Sequence, residues 1–193
     1  MEAMLKKFQQ KYNKVKDNMS QWEDLQTRFV SHFRNASSII HRFPVLQDSN
    51  NFGCLKSYHA LPDKLLRKQM DSLQTIIMSM KLTLDEFSNV VGSLDKIVRD
   101  SRQLIKGASH QQLHQTIGVK PSLTYCIEGL QTLHDMHQSE YRLKSSLFTA
   151  FCHLTFKPNS DDLGALQQLL VDQPNIYKEE VDSIYNIVFP EDH

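Results

Sequence analysis

The sequence predicts an all-α protein: an elongated antiparallel bundle of long, heptad-patterned helices followed by two short C-terminal ones. Three observations carry that expectation. Glycine and proline number only six each in 193 residues, too few for a turn-rich β fold. Apolar residues recur at alternating spacings of three and four over two long stretches. Turn-forming residues gather in two polar linkers between the long stretches. The chain reads as a single helical domain over residues 1–193.

The first helix is expected over about 2–42. Leu5, Phe8, Tyr12, Val15, Met19, Trp22, Gln26, Phe29, Phe33, Ala36 and Ile40 mark its apolar stripe, with Gln26 as the polar interruption. The pattern ends at Phe43-Pro44, because the residue before a proline is pushed out of the helical region. The linker HRFPVLQDSNNFGCL follows, with Asp48-Ser49-Asn50-Asn51 and Gly53 as turn chemistry.

The second helix, about 62–106, carries the clearest signal. Pro62 suits a first turn, where its missing N–H costs nothing, and Asp63 favours the positive end of the helix dipole. Leu66, Met70, Leu73, Ile77, Met80, Leu84, Phe87, Val91, Leu94, Val98, Ser101 and Ile105 then alternate by four and three. Such a helix spans roughly 65 Å at 1.5 Å per residue, and Gly107 suits its end. A second seam through Leu65, Ile76, Val90 and Ile97 widens the apolar face beyond what one partner helix needs. The first two helices are expected to pair antiparallel, with the third closing the bundle. The extra seam would then meet the third helix over part of its length and another protein over the rest.

A polar linker, GASHQQLHQTIGVK, precedes a third helix over about 121–156, opened by Pro121-Ser122 and ending near Lys157-Pro158. Two short helices follow, over about 160–172 with Ser160 or Asp161 as cap, and about 175–188 with Asn175 as cap. The tail PEDH should fray. Each heptad side chain left wet forfeits about 1.5–3 kcal/mol, so these stripes must be covered.

Charge and composition narrow the function. Lysine plus arginine and aspartate plus glutamate are balanced at 22 each. A chain that grips nucleic acid through phosphates shows a basic excess, so direct specific nucleic-acid binding is not expected. The run Lys6, Lys7, Lys11, Lys14, Lys16 reads as a solvated helix face. Three cysteines, Cys54, Cys126 and Cys152, form neither CxxC nor a disulfide framework, which points to reduced thiols inside the cell. The N-terminus has no apolar core of a secretory signal and no run of about 18 apolar residues occurs. The sequon Asn35-Ala36-Ser37 is then not expected to be glycosylated.

Catalytic and cofactor patterns are missing. The histidine pairs His110/His114 and His134/His137 lack carboxylates at metal-site spacing, and no Glu-x-x-His occurs. They read as surface or linker histidines, and no metal or other cofactor is expected. No GxxxxGK[ST], GxGxxG, GxSxG or HExxH is present. The chain is therefore expected not to be an enzyme. Gln26 and Ser101, polar within apolar stripes, either set register or are tolerated at a bundle edge. Ser20-Gln-Trp-Glu23 and Thr83-Leu-Asp-Glu86 fit an acidophilic kinase consensus, making Ser20 and Thr83 candidate phosphosites.

Several segments carry a family resemblance. Leu61-Pro-Asp-Lys-Leu-Leu-Arg-Lys-Gln-Met70 opens the second helix, Lys120-Pro-Ser-Leu the third, with Tyr141-Arg-Leu-Lys-Ser-Ser-Leu147 and Asp162-Leu-Gly-Ala-Leu166 farther on. In order and spacing they resemble the AAA-ATPase-interacting ribosome maturation factor family, small helical proteins also labelled casein kinase substrate-like, and this copy resembles the plant members. Phe52-Gly-Cys-Leu and the N-terminal lysines depart from the family pattern. The resemblance implies a non-enzymatic adaptor in the nucleus and cytoplasm. Its partners would be a hexameric AAA ATPase and a second small helical protein, acting on late large-subunit ribosomal precursors. Candidate contacts at the matched positions are Lys64, Arg67 and Lys68, with Arg142 and Lys144 as further ones. A coiled-coil scaffold subunit of an unrelated tether or kinetochore complex explains the heptads equally well, and a helical metalloenzyme is the remaining rival.

Overall fold

The structure, a computed structural model, describes residues 2–58, 60–116, 120–155 and 159–189. It is all-α. In chain order come α1 (Glu2–Gln47), a 3₁₀ segment (Ser49–Ser57), α2 (Leu61–Ile105), α3 (His110–His114), α4 (Leu123–Leu154), α5 (Ser160–Asp172) and α6 (Lys178–Val188). The expected end of the third helix at 156–158, part of the second linker at 117–119 and the frayed tail at 190–193 lie outside the described residues.

The chain divides into two compact units. Unit 1 comprises Met1–Asp24, Glu86–Leu143 and Gln173–His193; unit 2 comprises Leu25–Asp85 and Lys144–Asp172. In unit 1, Asn18 Nδ2 donates to Ser93 Oγ at 3.1 Å, while the Trp22 ring meets Phe87 edge-on at 4.5 Å. Residue numbers rise along α1 as they fall along α2, so the two helices run antiparallel. Tyr12 Oη donates to the Cys126 carbonyl at 2.9 Å, and Trp22 meets the His137 ring at 4.8 Å, which sets α4 parallel to α1. Helix α6 lies against α1 through Tyr185, whose ring is 5.8 Å from that of Tyr12. The core of this unit is filled by Leu5, Phe8, Val15, Val91, Leu94, Val98, Leu130 and Leu133.

Unit 2 repeats the scheme with α5 in place of α6. Phe33 of α1 packs on Phe151 of α4 at 4.8 Å. Gln26 donates to the Leu170 carbonyl, and His41 Nε2 lies 3.3 Å from Ser160 Oγ, so α5 descends along α1. In each unit a short helix packs along α1, a position that sequence reasoning left unassigned.

Local chemistry explains where the boundaries differ from expectation. Helix α1 does not stop at Phe43-Pro44 but continues to Gln47. Proline withdraws only one donor, the N–H that would bond the Ile40 carbonyl, and Asp48 N–H donates to the Pro44 carbonyl at 3.3 Å. The first linker is a 3₁₀ segment, capped by the Asp48 side chain and kinked at Gly53, whose φ of 49° favours glycine. The second linker holds α3, opened by a capping box between Ser109 and Gln112. Helix α5 is capped by neither Ser160 nor Asp161. Asn159 Oδ1 accepts from the Asp161 N–H at 3.1 Å. Helix α6 starts after Tyr177, not at Asn175, because Asn175 is engaged elsewhere: its N–H and Nδ2 both donate to Glu140 Oε2, at 3.2 and 3.1 Å.

Gly129 of α4 lies against the Tyr12 phenol of α1 and the Ile184 side chain of α6. A Cβ there would collide with Tyr12 Oη and stand 3.0 Å from Ile184 Cγ2. Glycine to alanine in a helix interior ordinarily stabilises by about 0.5–1 kcal/mol. Here Gly129→Ala should instead destabilise by about 1–3 kcal/mol through overpacking. Tyr12→Phe, which removes the colliding oxygen, should restore most of that in the double variant. Urea unfolding of the four proteins of this cycle checks it, and a stabilising Gly129→Ala would sink the prediction.

Candidate functional site

The stripe of α2 is covered unevenly. Met80, Leu84, Phe87, Val91, Leu94, Val98 and Ser101 are all buried. Earlier in the helix only Leu73 is buried, Leu66 and Ile77 are half-buried, and Met70 and Met78 are each 56% exposed. Within unit 2 the open part forms the floor of a groove of about 780 Å³, walled by Phe43 from the end of α1 and Thr155 from the end of α4. Asp63, Arg67 and Asp71 stand at its edge. A shallower cleft shares those three residues and adds Ala60, Lys64 and Lys68. Another continues from Ala60 and Lys64 to Leu55 and Tyr58 of the 3₁₀ segment. One face thus runs from Tyr58 to Met78, apolar along its floor, with Lys64, Arg67 and Lys68 standing among Asp63 and Asp71 along its outer flank.

Lys64, Arg67 and Lys68 are exposed on this face, in the first turns of α2. Helical spacing puts Arg67 one turn from both Asp63 and Asp71, and Lys64 one turn from Lys68. Arg142 is exposed on α4 and belongs to unit 1.

Lys144 corrects an expectation. It is 0% exposed, with Nζ donating to Gln26 Oε1 at 2.7 Å, so it presents no charge to a partner. A lysine stem laid through apolar surroundings ending on a buried amide is a packing element. Gln26 is likewise no tolerated edge residue: buried, it accepts from Lys144 and donates to the Leu170 carbonyl, tying α4 and α5 to one register of α1. Ser101 is satisfied within its own helix, donating to the Ile97 carbonyl at 2.6 Å.

Of the two candidate phosphosites, Ser20 is exposed on α1. Thr83 is 1% exposed and its Oγ1 donates to the Ser79 carbonyl at 2.9 Å, so no kinase reaches it while unit 2 is folded. His137 is not a surface histidine either. It is buried against Trp22, with Nδ1 2.7 Å from the Leu133 carbonyl.

The groups that do chemistry elsewhere are quiet here. Burial pushes the Cys126 thiol up to about 11, which keeps it protonated and poorly nucleophilic near neutrality. Burial also raises the Cys152 thiol and the phenols of Tyr12 and Tyr185. Among the described residues no three His, Cys, Asp or Glu side chains gather as metal ligands; His110 and His114 lie with ring centres 4.5 Å apart. No helix among the described residues is long and apolar enough to cross a membrane.

Phe43, Leu55, Tyr58 and Thr155 were not singled out by sequence reasoning. Leu55, Tyr58 and Thr155 stand outside the regular stripes and Phe43 was read only as the end of the first one; the meeting of the helix ends brings Phe43 and Thr155 to the groove.

Residues 2–193 match the family model described as CA109-like, ribosome biogenesis protein C1orf109-like. The chain belongs to this family of ribosome biogenesis proteins. The C1orf109-like match runs through every helix and both units. It agrees with the resemblance at the level of ribosome biogenesis. No curated protein matches the chain.

Proposed function

We propose that this chain is a non-enzymatic adaptor of a AAA ATPase in late maturation of the large ribosomal subunit, working in the nucleus and cytoplasm. Membership of the C1orf109-like ribosome biogenesis family over residues 2–193 carries the reading. The ATPase supplies the work, a second small helical protein accompanies it, and this chain positions the pair on the precursor. The open face at the start of α2 supports a binding role: exposed cations beside uncovered methionines suit protein contact better than a reaction. Lys64, Arg67 and Lys68 are the proposed contact residues, with Arg142 as a further one.

The test is affinity purification of the tagged chain from its own cells, with mass spectrometry of what accompanies it. A AAA ATPase together with large-subunit precursor proteins is the expected result. Charge reversal at Lys64, Arg67 and Lys68 should deplete the ATPase while the circular dichroism of the chain is unchanged. Recovery of vesicle tethers or chromosome proteins without an ATPase would replace the adaptor reading with that of a scaffold subunit.

A further inference from the structure

The uncovered part of α2 has a length, a shape and a charge, and together they specify an occupant. From Asp63 to Met78 it runs for about 22 Å at helical rise. The groove follows the α2 axis and is bounded by the ends of two other helices, contributing Phe43 and Thr155. A rod of similar length seated parallel to α2 fills such a groove. No strand edge exists among the described residues to which an extended peptide could add. An apolar floor of Leu66, Met70, Ile77 and Met78 offers nothing to a phosphate backbone.

Charge then selects among helices. Unit 2 carries ten lysines and arginines against seven aspartates and glutamates, a net of +3. On the outer flank, Arg67 stands between Asp63 and Asp71 at one-turn spacing and Lys68 has Asp71 three residues on, whereas Lys64 has only the cations Arg67 and Lys68 at that spacing. No ion pair joins Lys64 or Lys68 to a carboxylate among the described residues. A second copy of this chain docked by the same face across a two-fold axis would set this flank, with its cationic excess of Lys64, Arg67 and Lys68 over Asp63 and Asp71, against itself. A helix with a carboxylate flank neutralises that excess.

We infer that the groove along Asp63–Met78 of α2 is the docking site for an amphipathic α-helix of another protein, seated by apolar residues at i, i+3, i+4 and i+7 and flanked by acidic residues facing Lys64 and Lys68. This rests on the reading that the chain works by binding other proteins, and it names the chemistry of what one surface binds. Methionine-rich floors adapt to different apolar sequences, so charge sets the orientation more than shape does.

The experiment uses the full chain and two fluorescein-labelled synthetic helical peptides of about 18 residues, a length matched to the groove. Both carry leucines at i, i+3, i+4 and i+7. One has glutamates along a flank, the other lysines. Fluorescence anisotropy should show the glutamate peptide binding at least about ten-fold more tightly. Met70→Asp with Met78→Asp, both at exposed positions, should weaken it by about ten-fold or more. Lys64→Glu with Lys68→Glu should reverse the preference between peptides. Equal binding of both peptides, binding of neither, or indifference to both pairs of substitutions overturns the inference. So does a dimer in sedimentation that Met70→Asp dissolves, which assigns the face to a second copy. Failure of the peptides while the ATPase still copurifies removes this inference and leaves the adaptor reading standing. Peptide binding without a copurifying ATPase does the reverse.

Discussion

Trp22→Ala should destabilise the protein by about 4 kcal/mol, the largest effect expected of any single truncation here. Trp22 is the chain's one tryptophan and lies buried in unit 1. Its ring contacts Phe87 of α2 and His137 of α4, and its indole N–H donates to Gln173 Oε1 at 2.8 Å. Truncation would empty a volume bounded by two other helices and leave the buried Gln173 amide without its donor. That loss falls on a backbone already held against preference, since Gln173 has φ of 46°, a left-handed conformation rare outside glycine. Trp22→Phe, which keeps an aromatic ring but not the N–H, should cost about 1–3 kcal/mol. Urea unfolding followed by circular dichroism measures both. A loss below about 1 kcal/mol for Trp22→Ala would contradict the packing described for unit 1.

The two kinase-consensus sites should separate sharply when each is given a carboxylate. Thr83→Glu inserts an ionisable group at a position sealed between the buried Met80 and Leu84. A buried charge without a designed partner costs several kcal/mol, or stays protonated at nearly the same expense. A loss of about 3–5 kcal/mol is expected, enough to leave unit 2 largely unfolded under mild denaturant. Ser20→Glu lies on the exposed face of α1 and should change stability by less than about 0.5 kcal/mol, the repulsion from Asp17, Glu23 and Asp24 being of helical-neighbour size. The same contrast should appear in phosphorylation of the folded protein by an acidophilic kinase, with phosphate on Ser20 and none on Thr83. Thr83→Glu folding as stably as the parent would show that the α2 stripe is not packed as described.

What could be read from residues alone was whatever repeats with the helical period. The stripes of α1 and α2 and the all-helical class follow from spacing, because burial of one helix face imposes that spacing; the antiparallel pairing follows from two helices of matched length joined by a linker. What stayed hidden depends on which helix ends meet. Lys144 has the same composition signal as a surface lysine, and only the arrival of Gln26 from α1 shows its ammonium to be inside. Thr83 lies beside the stripe rather than on it, so its burial reflects how widely α2 is covered at that level. Asn175 is an excellent helix cap by type, yet Glu140 on α4 offers its carboxylate to both the backbone and the side chain of that residue, and the helix begins later. The groove was not legible. The surplus seam through Leu65, Ile76, Val90 and Ile97 does not line it; its floor belongs to the principal stripe at Leu66, Met70 and Ile77. That stripe is as regular at Met70 as at Leu84, and it cannot say where its cover runs out.

The way the units are threaded also sets an order of events during synthesis. Unit 2 draws on residues 25–85 and 144–172, so every piece of it has been made once Asp172 leaves the ribosome. Unit 1 needs residues 2–24 and cannot bring Trp22 to Gln173 or Tyr12 to Tyr185 until the segment that starts at Gln173 has also been made. Trp22 therefore waits for 151 further residues to be made before it meets Gln173, and Tyr12 waits longer still for Tyr185. Contacts across such long loops form slowly, and a nascent chain with that much apolar surface in waiting is a natural client for chaperones.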